Sequence, residues 1–428
     1  MKKISLLALA ALMMSACCCK DKTVTVNVTN ESDLVRKSEN VELCLGKLQA
    51  ALKAGEDAQF VVYNPEGEEI PSQIVSDCKD AKKLLFQVDL DANASAVYSI
   101  KVGTPQAYPT QAQTTFMPRR KDDISWENDR SIFRMYGPAL ATDKTEPLIS
   151  GGLDIWVKRT PKLVSQQWYQ DEFDGKSSYH HDNGEGLDFY SVGKTLGAGG
   201  VAPFIDGKLY LVGNNFHTYT ILENGPIRTK FRLDYAAYDV AGNPISESRI
   251  ITLDAGSHLN KVVVLYDNKE DMAVAAGFPF RGFAEKAKTK VDKRGIADCQ
   301  DIVFNKEAGW IAYGEPNHPE NGIIFLGSIM PCGACDMLIA ENHVLNCGKA
   351  IAGKPFVYYS GGAWSKGGFE NIQAWSQYMA DYAAKLKQPI KVCTSYCDHQ
   401  EVACEKESTC EKAPKAACEN PCEKTCNK

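Results

Sequence analysis

Residues 23–104 alternate apolar and polar side chains with a period of two. The clearest run is Thr23-Val24-Thr25-Val26-Asn27-Val28; Gln59-Phe60-Val61-Val62-Tyr63 and Leu84-Leu85-Phe86-Gln87-Val88 follow it. Turn clusters such as Asn64-Pro65-Glu66-Gly67 separate the runs. Successive side chains of a strand point to opposite faces, so the pattern predicts half-buried antiparallel strands and a small β-sandwich over 23–104. Cys44 and Cys78 are spaced to bridge it. Residues 105–121 hold Pro105, Pro109 and Pro118 among Gln and Thr and read as a linker.

Strand patterns dominate again over 122–390. Examples are Lys208-Leu209-Tyr210-Leu211-Val212, Thr229-Lys230-Phe231-Arg232-Leu233 and Lys261-Val262-Val263-Val264-Leu265. One long helical pattern runs from Asn371 to Lys387, with Ile372, Trp375, Tyr378, Met379, Tyr382 and Leu386 at helical spacing and Pro389 closing it. The fold class expected is therefore mainly β: a small N-terminal sandwich and a large antiparallel sandwich. From residue 391 onward Cys, Lys, Glu and Ala replace the large apolar residues. Such a tail cannot bury a core of its own. It reads as disordered or disulfide-knotted, with a thiolate cluster for soft metal ions as the alternative.

The first residues add a location. Met1-Lys2-Lys3 is positive, the apolar run Ile4–Met14 is too short to span a bilayer, and Ser15-Ala16-Cys17 closes it with small residues before a cysteine. This resembles a bacterial lipobox, which implies lipidation at Cys17, export, and a chain anchored to a membrane surface rather than crossing it. The formal charge of −6, with no basic stripe, argues against nucleic acid as a partner. There are 16 cysteines, and export makes disulfides the expectation; with Cys17 set aside the number is odd, so at least one thiol has no partner within the chain.

Polar chemistry is densest in Tyr179-His180-His181-Asp182-Asn183-Gly184-Glu185-Gly186-Leu187-Asp188-Phe189-Tyr190, where two glycines imply a turning loop. His180, His181, Asp182, Glu185 and Tyr190 can supply a general acid and base. No cofactor is required, although Asp182, Glu185 and Asp188 offer oxygens suited to a divalent cation such as calcium. Arg130, Arg134 and Tyr136 share strand parity, so the two guanidinium groups are expected to bind a substrate carboxylate. Lys194, in a Gly-rich stretch, Arg228 and His258 are further binding candidates, and Trp126, Trp156, Trp168 and Tyr179 a stacking platform. No G-x-S-x-G or H-E-x-x-H motif is present, which leaves lipase and zinc-protease chemistry without support.

Several of these stretches carry a resemblance. Trp126-Glu127-Asn128-Asp129-Arg130, Gly152-Leu153-Asp154-Ile155-Trp156, Tyr179-His180-His181-Asp182, Gly184-Glu185-Gly186-Leu187-Asp188, Val192–Gly200 and Gly225-Pro226-Ile227-Arg228 resemble the exported bacterial proteins of domain-of-unknown-function family 4861. The resemblance covers about residues 25–389. It implies a body similar to the galactose-mutarotase-like β-supersandwich and a partner among uronate-bearing, pectin-like oligosaccharides or polysaccharides. The resulting expectation is a lyase or hydrolase, with a non-catalytic glycan-binding lipoprotein as the alternative. It requires the histidine-and-acid loop and the arginine strand to converge on one open cleft.

Overall fold

The computed structural model describes residues 22–76, 81–281 and 302–396. Cys17, Cys78 and the cysteines from Cys397 onward lie outside the described residues. Cys44 is a free thiol and its candidate partner Cys78 lies outside the described residues; Cys335 is disulfide-bonded. No helix among the described residues is long and apolar enough to cross a membrane.

The chain is mainly β and its sheets are antiparallel. The alternating run Thr23–Thr29 buries Val24, Val26 and Val28 while its threonines face outward. It joins a five-stranded sheet that packs on a three-stranded one, Arg36–Cys44, Lys82–Leu90 and Ser72–Ser76, around Phe60, Leu84, Phe86 and Ile100. The edge of the first sheet comes from the far end of the chain. Lys391–Thr394 pairs with Thr23–Thr29, with Val28 opposite Val392. The segment expected to start a coreless tail therefore begins as a strand.

The larger unit faces an eight-stranded sheet, from Thr218–Glu223 to Ile302–Asn305, against two five-stranded sheets. Its core includes Trp126, Phe133, Phe231, Val264, Phe278 and Leu326. The expected linker contains a strand of this unit: Ala112–Met117 pairs with Asp123–Asn128. It is an edge strand in which the buried positions are Ala112 and Thr114 rather than large apolar residues, so its composition hides it. Helix Ile372–Lys387 covers the outer face of the eight-stranded sheet through Ile372, Trp375, Met379 and Ala383. Asn371 caps it by accepting from the Ala374 N–H at 2.9 Å.

Arg228 fastens the two units together. It donates to both carboxylate oxygens of Asp254, at 2.6 and 2.9 Å, and to Glu42 of the small sandwich at 2.6 Å. Gln73, also of the small sandwich, donates to the Arg228 carbonyl and accepts from its N–H. Arg228 is thus a structural clamp with its donors engaged, which removes it from the substrate-binding candidates.

Burial alone would raise the Glu42 carboxyl, but Arg228 and then Lys83 hold it at about 2. A folded pKa below the unfolded one adds stability at higher pH and loses it as pH falls toward the folded value. Wild-type stability should therefore drop between about pH 4.5 and 2 through this group. Arg228→Ala should lower stability at pH 7 by about 3 kcal/mol, because two half-buried carboxylates lose their partner. Denaturant titrations at pH 7 and pH 3 check both; a difference between wild type and variant that is the same at the two pH values would remove the clamp.

Candidate functional site

The site is built on the outer face of one five-stranded sheet. In Asp123–Asn128, Ser131–Met135 and Asp154–Lys158, alternate residues Ile124, Trp126, Phe133, Met135, Ile155 and Val157 point into the core. The other parity puts Asp123, Glu127, Arg134, Asp154, Trp156 and Lys158 on the opposite face. That face is nevertheless buried, because helix Ser165–Phe173 and the loop running to Tyr190 lie over it. Ile132, Trp156, Val164, Tyr169 and Tyr179 make the apolar contact. Glu127 fixes the helix: its carboxylate accepts from the Val164 and Ser165 N–H groups at 2.9 and 2.8 Å, and from Lys158 at 3.2 Å. A carboxylate at a helix N-terminus satisfies donors that have no partner within the helix.

Arg134 is the centre of the polar layer. Its guanidinium lies 2.6 Å from Asp154, 3.5 Å from Asp188 and 4.0 Å from Asp123, with the Tyr136 and Trp156 rings 5.1 and 5.2 Å away. All four charged groups are buried. Burial raises the three carboxyls, and Arg134 pulls them only part of the way back; Asp123 rests at about 6 and Asp188 is driven further up by the adjacent Asp154. Asp123 Oδ2, Asp188 Oδ1 and Arg134 Nη1 have no hydrogen-bond partner among the described residues. Arg134, with Arg120 acting on Asp123 and Asp188 as well, offsets only part of the burial of three carboxyls, so the cluster takes up protons more readily than free carboxylates do.

Asp188 opens the stretch that leads from this floor to the surface. The His180 ring packs on Tyr179, is 56% exposed, and places Nδ1 3.0 Å from the Asp188 carbonyl oxygen and 3.7 Å from its carboxylate. Two residues on, Tyr190 is buried, and its hydroxyl is driven well above its ordinary pKa by burial and then by Glu315. Arg281 lies over the Tyr190 ring at 4.7 Å and donates to Glu315 at 3.1 Å.

The family model described as a domain of unknown function, DUF4861, matches residues 28–392. The chain belongs to the DUF4861 family. A relative, "Uncharacterized protein P7" from Formosa agariphila, is 30% identical over 404 residues, covering 90% of this chain and 96% of its own. Two solved structures from Enterococcus faecalis are similar at 11% identity and a TM-score of 0.47: an alpha-mannosidase, and a protein in the glycosyl hydrolase family 38. Each match covers 87% of this chain but 46% and 47% of theirs, so the DUF4861 chain spans about half their length.

The DUF4861 chain brings only some of the expected site residues together. His180, Asp188 and Arg134 meet. His181 is exposed beside them and donates its backbone N–H to the Ser178 carbonyl. Asp182 pairs with Arg159 and Glu185 with Lys162, so neither reaches Asp188, and the expected calcium ligands point to three different places. No group of three or more such side chains gathers for a metal among the described residues. Arg130 is not on the strand with Arg134: it sits in the preceding turn, half exposed, paired with Asp129. Arg134 and Tyr136 are buried and cannot meet a substrate carboxylate from solvent. Trp126, Trp156 and Tyr179 are interior, Trp126 donating to Asn260 at 2.7 Å, so they form no stacking platform; Trp168 is half-buried against Trp156. His258 packs edge-on against Phe369, Trp375 and Tyr378 and is held neutral, near 3, by burial and then by Arg130. Lys194 lines a different cavity, of about 260 Å³, with Ile149, Leu211 and Arg249.

Asp123, Asp154, Arg281 and Glu315 are the residues that sequence reasoning missed. A signal for two of them exists: polar residues at alternate positions of strands whose other parity is apolar. Nothing local says that such a face will be covered.

The Asp123 carboxyl offers a direct test of the cluster. Its folded pKa of about 6 exceeds the ordinary carboxylate value, so the folded state keeps a proton that the unfolded chain releases. Its contribution to stability therefore falls as pH rises from about 4 to 6. Asp123→Asn removes that ionisation and keeps the oxygen that accepts from the Gly137 N–H. The variant should gain up to roughly 3 kcal/mol over wild type at pH 8 relative to pH 4, about two pKa units. Denaturation midpoints across that range measure it; parallel pH curves for the two proteins would refute a protonated cluster.

Proposed function

We propose that this DUF4861 protein is a carbohydrate-processing enzyme that acts on uronate-bearing oligosaccharides as a lyase or hydrolase, using His180 for proton transfer. The observation that carries the reading is the setting of His180. Its Nδ1 faces a backbone carbonyl oxygen at 3.0 Å, which accepts only from a protonated nitrogen, so the neutral ring carries its proton on Nδ1. The Nε2 lone pair is left free on a ring that is more than half exposed, the arrangement a general base needs. The Asp188 carboxyl lies beneath it at 3.7 Å, and burial and then Asp154 raise its pKa. Elimination is the branch this geometry favours. The exposed base is an imidazole, whereas the carboxylates of the floor are buried against Arg134 rather than open to flank a glycosidic bond. Export and anchoring through a lipidated Cys17 belong to the same reading and would place the enzyme where polymeric glycans are met. The interior position of Trp126, Trp156 and Tyr179 counts against a purely binding role.

The test is turnover of pectin-derived and other uronate-bearing oligosaccharides, followed by the ultraviolet absorbance of an unsaturated uronate and by reducing ends. A rise in both signals elimination; reducing ends alone signal hydrolysis. His180→Ala should lower the rate by about 100-fold or more with the fold intact. If no uronate-bearing oligosaccharide is turned over, or if His180→Ala works at the wild-type rate, the reading is wrong.

A further inference from the structure

We propose that Arg281, Glu315 and Tyr190 form an anion-reading subsite that binds the acidic substituent of a sugar ring, beside the proton-transfer residue His180. The inference rests on the carbohydrate reading above and names the residue that selects an acidic sugar.

Three features of the geometry carry it. First, Arg281 is an immobilised cation that still faces solvent. It follows the strand Met272–Pro279 and donates to Glu315 at 3.1 Å and to the Ser191 carbonyl oxygen. It also lies flat over the Tyr190 ring, yet its side chain stays 30% exposed. Most surface arginines lose rotamer freedom when they bind; this one has already lost it, so a planar carboxylate meets a prepared fork. Second, two oxygens next to that guanidinium are buried without a hydrogen-bond partner among the described residues: Glu315 Oε1 and Tyr190 Oη. Both oxygens sit on residues that flank one exposed cation, where a ligand can complete them. A sugar ring supplies the hydroxyls, and its acidic substituent supplies the partner for Arg281. Third, the place is right. Tyr190 and Ser191 continue the stretch that begins at Asp188, so the Arg281 contacts and the His180 contact lie within about 10 Å of one another along an extended chain.

Charge supports the same assignment. Burial raises the Glu315 carboxyl to about 7, with Arg281 pulling it back. When Glu315 is protonated, the Arg281 charge is free to attract an anion; when Glu315 ionises, it competes for the guanidinium. Among the described residues the other titratable groups around the pair are Tyr190, Tyr313 and His343; burial raises the Tyr190 hydroxyl and lowers the His343 imidazole. Anion binding should therefore weaken as pH rises through about 7.

Direct binding of small probes tests this without relying on turnover. Glucuronate, glucose 6-sulfate and glucose are titrated into the full-length protein by calorimetry at pH 6 and pH 8. Glucuronate is expected to bind more tightly than glucose and more tightly at pH 6. Arg281→Gln should weaken glucuronate by about tenfold or more, and because burial keeps Glu315 neutral without its partner, the variant should still fold; a thermal melt verifies it. Glu315→Gln should abolish the pH dependence of glucuronate binding, which provides a second readout if Arg281→Gln is unstable. Binding of glucose 6-sulfate in place of glucuronate identifies a sulfate ester as the acidic group. Glucose binding as tightly as glucuronate, or Arg281→Gln binding glucuronate like wild type, overturns the subsite. His180→Ala should bind glucuronate normally. If that variant also retains full turnover while Arg281→Gln loses binding, the proton-transfer reading falls and the subsite stands.

Discussion

A guanidinium buried beneath a helix cannot stand without anions, and anions at that depth cannot stand without a cation or a proton. Arg134 and the carboxyls of Asp123, Asp154 and Asp188 satisfy that constraint together. The constraint explains why one face of a sheet can be polar and still be covered. Glu127 and Lys158 repeat the principle one step away, and there the carboxylate also holds the N-terminus of the covering helix. Replacing such a network by apolar residues of the same volume often stabilises a protein. Burial raises all three acids here, and the neighbouring cations offset it only in part.

The stretch from Asp188 to Ser191 leads from that floor to the surface. Asp188 belongs to the floor, and its carbonyl orients His180 at the surface. Tyr190 goes inward beneath Arg281, and the Ser191 carbonyl holds the same guanidinium from outside. One short piece of backbone thus contacts both the His180 imidazole and the Arg281 guanidinium, while the Asp188 and Tyr190 side chains remain buried. The rigidity comes from the floor: the Asp188 N–H donates to the Tyr179 carbonyl at 2.8 Å, and Tyr179 packs on Trp156.

Sequence periodicity was informative wherever one face of an element meets a core and the other meets water. The runs around Val24, Phe60 and Phe86, and the helix from Ile372 to Lys387, are of this kind, and each lies in an element of the expected type. Periodicity failed at edges. The buried positions of Ala112–Met117 and Lys391–Thr394 are Ala112, Thr114 and Thr394, so these strands carry little apolar signal. It failed too for the long polar or aromatic residues. Arg228, Arg134 and Trp126 were read as reaching for a ligand, but each finds its partners inside the protein.

By itself, then, the sequence determined the mainly β class, the alternation that chooses which side chains face the core, and the concentration of chemistry between Tyr179 and Tyr190. Those follow from local spacing, because a strand's parity and a loop's composition depend on neighbours along the chain. Which charges are buried, which carboxyl keeps its proton, and which arginine remains open to solvent were decided only by the tertiary structure. Burial and the distance between charges set those properties, and both depend on residues far apart in the chain: Arg134 meets Asp188, and Arg281 meets Tyr190 and Glu315, only after the sheets have stacked.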